Sequence, residues 1–103
     1  MNHHQIFVNN VLSEIPIGIP VWKAEQLTEN QSLFDSSGSR AVILSCDLKG
    51  LTQFYWVDLE PDANWDHRAM YVAIDGEGMI HKKGAFSPPN NAIIFKELKR
   101  GEE

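Results

Sequence analysis

The strongest constraint on the fold lies between Ala69 and Lys83. There the chain reads AMYVAI, then Asp75-Gly76-Glu77-Gly78, then MIHKK. Two strand-forming runs joined by a short glycine-bearing segment specify a β-hairpin, because glycine reaches positive φ at a turn without a Cβ penalty. An isolated hairpin is marginal in water, so this one needs further strands or a covering layer. The run QFYWVDL, Gln53 to Leu59, is aromatic and β-branched and predicts a strand on the amino-terminal side of the hairpin. AVILSC, Ala41 to Cys46, is apolar at nearly every position and predicts a central strand covered on both faces. Ile93 to Leu98 predicts a last strand or short helix.

The covering layer comes from the other end of the chain. Phe7, Val8, Val11, Leu12 and Ile15 fall on one face at a period of 3.6 residues, which predicts an amphipathic helix over Gln5 to Ile15. Asn2 is placed to cap it and Pro16 to stop it. Ile15 to Trp22 is punctuated by Pro16, Gly18 and Pro20, which forbids a helix and predicts an extended ribbon. A short helix is expected within Lys23 to Phe34, and Asp35 to Arg40 is a loop by composition. The expected architecture is one α+β domain over residues 1–103. It consists of a mostly antiparallel sheet of three to five strands with the N-terminal helix packed on one face, and with residues 1–4 and 99–103 frayed.

Charge narrows the partners. Nine Lys and Arg stand against 14 Asp and Glu, for a net charge of −5. A polyanion such as DNA or RNA needs a basic footprint, so no nucleic-acid partner is expected, and an anionic membrane surface is disfavoured for the same reason. No apolar run reaches the roughly 18 residues of a membrane span. One cysteine, Cys46, allows no internal disulfide, and the opening residues do not read as a signal peptide, so a cytoplasmic location is expected.

The densest chemistry is in Glu60 to Arg68, a polar connection that carries Trp65, Asp66, His67 and Arg68. An aromatic flanked by charged groups supplies both contact area and orientation, so these four residues are the candidate ligand- or partner-binding set. The alternative is that Trp65 folds back as a lid on the sheet. Asp62, Asn64 and Asp66 alternate like calcium ligands, yet an EF-hand needs glycine and glutamate where His67 and Ala73 stand, so no metal site is expected. The remaining histidines are His3, His4 and His81. The first two are adjacent, and His81 is expected on a solvated strand face. No cofactor motif is present. Cys46 alternates with Val42 and Leu44 onto a face expected to be buried, which makes it inert and disfavours a Cys/His-dependent hydrolase.

The aromatic content suggests an interaction domain. Alternation in Gln53 to Leu59 sends Phe54, Trp56 and Asp58 to one face and Tyr55, Val57 and Leu59 to the other. With Trp22, Trp65, Tyr71, Phe86 and Phe95 added, the rings exceed what one small core is expected to absorb. Tyr55 and Trp56 therefore join the candidate contact residues. The expected function is a small non-catalytic protein-interaction or accessory domain that binds a protein partner or forms a homodimer. A small-molecule pocket between helix and sheet is the alternative.

Overall fold

The computed structural model describes residues 2–63 and 67–101. It is an α+β fold with one helix, α1 (His3–Asn10), and seven strands. These are β1 (Val21–Ala24), β2 (Leu33–Phe34), β3 (Ala41–Ile43), β4 (Gln53–Asp58), β5 (Ala69–Ile74), β6 (Ile80–Ala85) and β7 (Phe95–Glu97). Five strands form an antiparallel sheet in the order β6-β5-β4-β1-β7, and β2 and β3 form a separate two-stranded ribbon. Among the described residues no helix is long and apolar enough to cross a membrane.

The hairpin forms as its sequence dictates. β5 and β6 pair from Ala69↔Ala85 to Ile74↔Ile80, and Gly78 takes a φ of 81° at the turn. Gly76 is required for a different reason: a Cβ there would lie 2.6 Å from the Lys49 carbonyl oxygen, so only glycine admits the close approach of the 49–51 segment.

The expected helix over Gln5 to Ile15 is shorter and earlier. Asn2 caps it, accepting from the Gln5 N–H at 3.1 Å. After Asn10 the chain passes into a 3₁₀ turn at Leu12–Glu14. Polar side chains compete for backbone carbonyls here: Asn10 Nδ2 donates to the Ile6 oxygen and Ser13 Oγ to the Asn9 oxygen. Two turns are marginal alone, so packing holds the segment in place. Phe7, Val11, Leu12 and Ile15 bury their side chains against Val21, Tyr55, Val57, Val72 and Ile74.

Two expectations about the middle of the chain are corrected. No helix forms in Lys23 to Phe34. Instead Thr28 and Thr52 exchange reciprocal backbone hydrogen bonds of 3.0 and 2.7 Å, and the segment runs on into β2. Ala41 to Cys46 is not a central strand. Only Ala41–Ile43 is strand, and it belongs to the ribbon, while Ser45–Asp47 is a 3₁₀ turn that leaves Cys46 exposed. The apolar pattern reported burial correctly for Ile43, but burial on one element does not say which sheet the element joins.

That ribbon resolves the aromatic excess. It covers the sheet face opposite α1, where Leu33 and Ile43 pack with Phe54, Trp56, Ala69 and Tyr71. The two predicted faces of β4 are thus real, and each is covered by this chain's own second layer. The expectation that these rings exceed the interior is overturned for Phe54, Tyr55, Trp56 and Tyr71, all of which are buried.

Candidate functional site

At one end of the sheet β4 leaves, β5 enters and β6 leaves. The connection after β4 starts with Leu59, whose N–H donates to the Arg68 carbonyl at 3.0 Å and extends the β4–β5 ladder by one step. A turn follows, closed by Ala63 N–H to the Glu60 carbonyl. Glu60 Oε1 reaches back to accept from the Arg68 N–H at 2.7 Å, and the Arg68 Nε lies 3.6 Å from the same oxygen. This ion pair is solvated, so it fixes the loop mainly through the backbone bond.

Beneath it, His67 Nδ1 lies 2.8 Å from Asp58 Oδ1, with the two side chains 17% and 14% exposed. The His67 N–H donates to the Phe86 carbonyl at 3.1 Å, which brings the segment after β6 alongside. Tyr71 fixes that segment from below, its hydroxyl donating to the Ser87 carbonyl at 2.8 Å. Burial pushes the Tyr71 phenol up to about 12, ahead of the smaller opposing effect of the Ser87 bond and the reinforcing charge of Asp35, so it stays a donor at neutral pH. Phe86 is therefore held at its own carbonyl and at that of Ser87, yet the residue is 64% exposed, and Leu59 beside the same loop is 38% exposed.

The six sequence candidates separate into three groups. His67 and Arg68 come to this loop end. Trp65 and Asp66 lie outside the described residues. Tyr55 and Trp56 are in the interior, on opposite faces of β4. The Tyr55 ring stacks on Phe7 with centroids 3.6 Å apart and planes at 4°, and its hydroxyl is 2.8 Å from His4 Nδ1. Burial raises the Tyr55 phenol well above its ordinary value. Trp56 stacks on Trp22 at 5.7 Å. Neither ring is presented as a contact surface, and the Phe7–Tyr55 stack packs the helix against the sheet.

Other expectations resolve individually. His81 is not on a solvated face, because its Nε2 is 3.0 Å from the buried Asp75 carboxylate. Cys46 is exposed, and its Sγ lies 4.0 Å from Asp47 Oδ1. His3 Nε2 bonds the Leu51 carbonyl at 2.8 Å. Among the described residues no group of three or more His, Cys, Asp or Glu is placed to hold a metal ion.

Sequence reasoning missed Leu59, Asp58 and Phe86 as members of the site. Phe86 carried a signal: it is a lone aromatic between Gly84-Ala85 and Ser87-Pro88-Pro89, a loop with no other large apolar residue. Chemically the site offers an exposed ring, an aliphatic neighbour, one solvated cation and one solvated anion, all on anchored backbone. Compared with protein-family models, curated proteins and solved structures, the chain shows no significant match to any of them.

Proposed function

We propose that this chain is a non-catalytic protein-interaction or accessory domain that docks through Leu59, Arg68 and Phe86, with a second copy of itself as partner. The observation that supports it is the exposed Phe86 ring on backbone fixed by His67 and Tyr71. Aromatic and Arg side chains on a preorganised surface are the groups that dominate contact energies, because little ordering entropy is lost on binding. The patch is also self-complementary. Arg68 and Glu60 sit side by side, so a two-fold contact sets Arg68 against the copy's Glu60 while the apolar residues meet. The exposed thiol of Cys46 suits a reducing, cytoplasmic setting.

Sedimentation at about 100 μM, where a micromolar contact is largely formed, tests this. The expected outcome is a dimer for the wild type and a monomer for Phe86→Asp. A monomer in both cases removes self-association, and a dimer in both moves the contact elsewhere.

A further inference from the structure

The two margins of the sheet differ in what they offer a neighbour. β7 pairs with β1 through Trp22↔Glu97, Lys23↔Lys96 and Ala24↔Phe95. The flanking bonds, Glu25 N–H to the Ile94 carbonyl and Leu98 N–H to the Val21 carbonyl, fix which of these pairs are hydrogen-bonded. In an antiparallel ladder that pattern makes Lys23↔Lys96 the bonded pair and directs the N–H and C=O of Phe95 and Glu97 to the open side. Four backbone groups thus face outward along a strand with no proline. An open groove of about 510 Å³ runs beside it, lined by Lys23, Gln26, Lys96 and Leu98 among others. The opposite margin, β6, presents exposed Lys82 and Lys83, the kind of charged edge that resists pairing.

We infer that β7 accepts an extended segment of another protein as an added antiparallel strand, with a carboxylate opposite Lys96 and an apolar side chain opposite Phe95. This surface is separate from the loop-end patch and does not depend on it.

Charge selects the occupant. Lys23 and Lys96 are directly opposite each other on one face. Glu25 and Glu97 also line the groove, and the Arg100 guanidinium is taken up by the Ile15 and Pro16 carbonyls, but on the face of β7 that carries Ile94, Lys96 and Leu98 the charge an added strand meets is Lys96. Two like charges in direct cross-strand register repel, and an incoming carboxylate relieves that. A second copy does the reverse. Two β7 strands bonded through Phe95 and Glu97 are centred on Lys96, which then faces the copy's Lys96 at the closest side-chain spacing of the ladder. On the other face, half-buried Phe95 and Trp22 provide apolar contact for the residue opposite Phe95. Main-chain bonds then supply affinity and the two side-chain positions supply choice.

The probe is the capped peptide Thr-Lys-Glu-Val-Thr. In antiparallel register it sets Glu against Lys96, Val against Phe95 and Lys against Glu97. Added to the full chain at about 1 mM, it is expected to slow amide hydrogen exchange at Phe95 and Glu97 about threefold or more, with Lys96, already bonded to β1, unchanged. Lys96→Glu is expected to weaken this protection about threefold, and the peptide with Lys in place of Glu to restore it on that variant. Unchanged exchange at Phe95 and Glu97 overturns the inference. So does protection that exists without peptide and grows with protein concentration, since a second copy then holds the edge. Equal binding of both peptides to the wild type overturns the choice of an acidic partner.

Discussion

At the turn joining β5 to β6, the Asp75 carboxylate is 1% exposed and accepts from the N–H groups of Glu77, Met79 and Lys49 and from His81. At the other end of the same sheet, Asp58 is paired with His67 alone among the described side chains, and both are partly open to solvent. The two histidine–aspartate pairs have similar lengths, 3.0 and 2.8 Å, but different roles. The first is a tie: it joins the hairpin turn to the 47–51 segment, and nearly every acceptor position is used. The second leaves a ring nitrogen and carboxylate lone pairs without a side-chain partner among the described residues, beside an exposed aromatic. Saturated bonding marks a group committed to stability, and spare capacity at a solvent boundary marks one available to a partner.

The contrast makes ranked predictions. Asp75→Ala removes the shared acceptor of three part-buried backbone donors and of His81, and is expected to cost about 3 kcal/mol in urea denaturation. A loss below about 1 kcal/mol would break the distinction between the two pairs.

Acid is the second lever. Burial by itself raises the Asp75 carboxyl, but the His81 ring and the three N–H groups outweigh it and hold the group below its ordinary value of 3.8. A depressed folded value stabilises the fold above the unfolded value, and that stabilisation disappears as pH falls through the folded one. Stability is therefore expected to decline below about pH 4, and less steeply in Asp75→Ala than in the wild type when the two are titrated together. Parallel titrations would show that the tie is not ionic.

Asp58→Ala has the smallest expected effect, about 1 kcal/mol by the same denaturation measurement, because water replaces the lost acceptor. A cost equal to that of Asp75→Ala would make the loop end a second structural tie and weaken its reading as a docking patch.

Local signals in the chain were reliable. The Asp75–Gly78 turn, the two-faced alternation of β4 and the Asn2 cap each depend on a few adjacent residues, and each is found, whereas the helix ends at Asn10 and not at Pro16. Long-range pairing was not legible. Nothing in Val21–Ala24 states that it will lie between β4 and β7, since both partners are distant in sequence and are chosen by packing. The same gap hid the β2–β3 ribbon. Counting rings against a two-layer core therefore put Tyr55 and Trp56 on the surface, when a third layer encloses one and α1 the other. The loop end was half legible. His67 and Arg68 were marked by the density of polar groups around them, whereas Phe86 entered through a backbone bond to a residue 19 positions earlier, which no local pattern encodes.

The strand order has a consequence for how the molecule is made. β4, β5 and β6 are consecutive in the chain and neighbours in space, so they can assemble as soon as they emerge during synthesis. β1 is translated well before them and β7 after them, yet β7 closes against β1. Throughout translation of everything between, one flank of β1 stays bare. For a nascent chain this is the interval of greatest exposure to unwanted strand pairing, and it ends only when β7 is delivered.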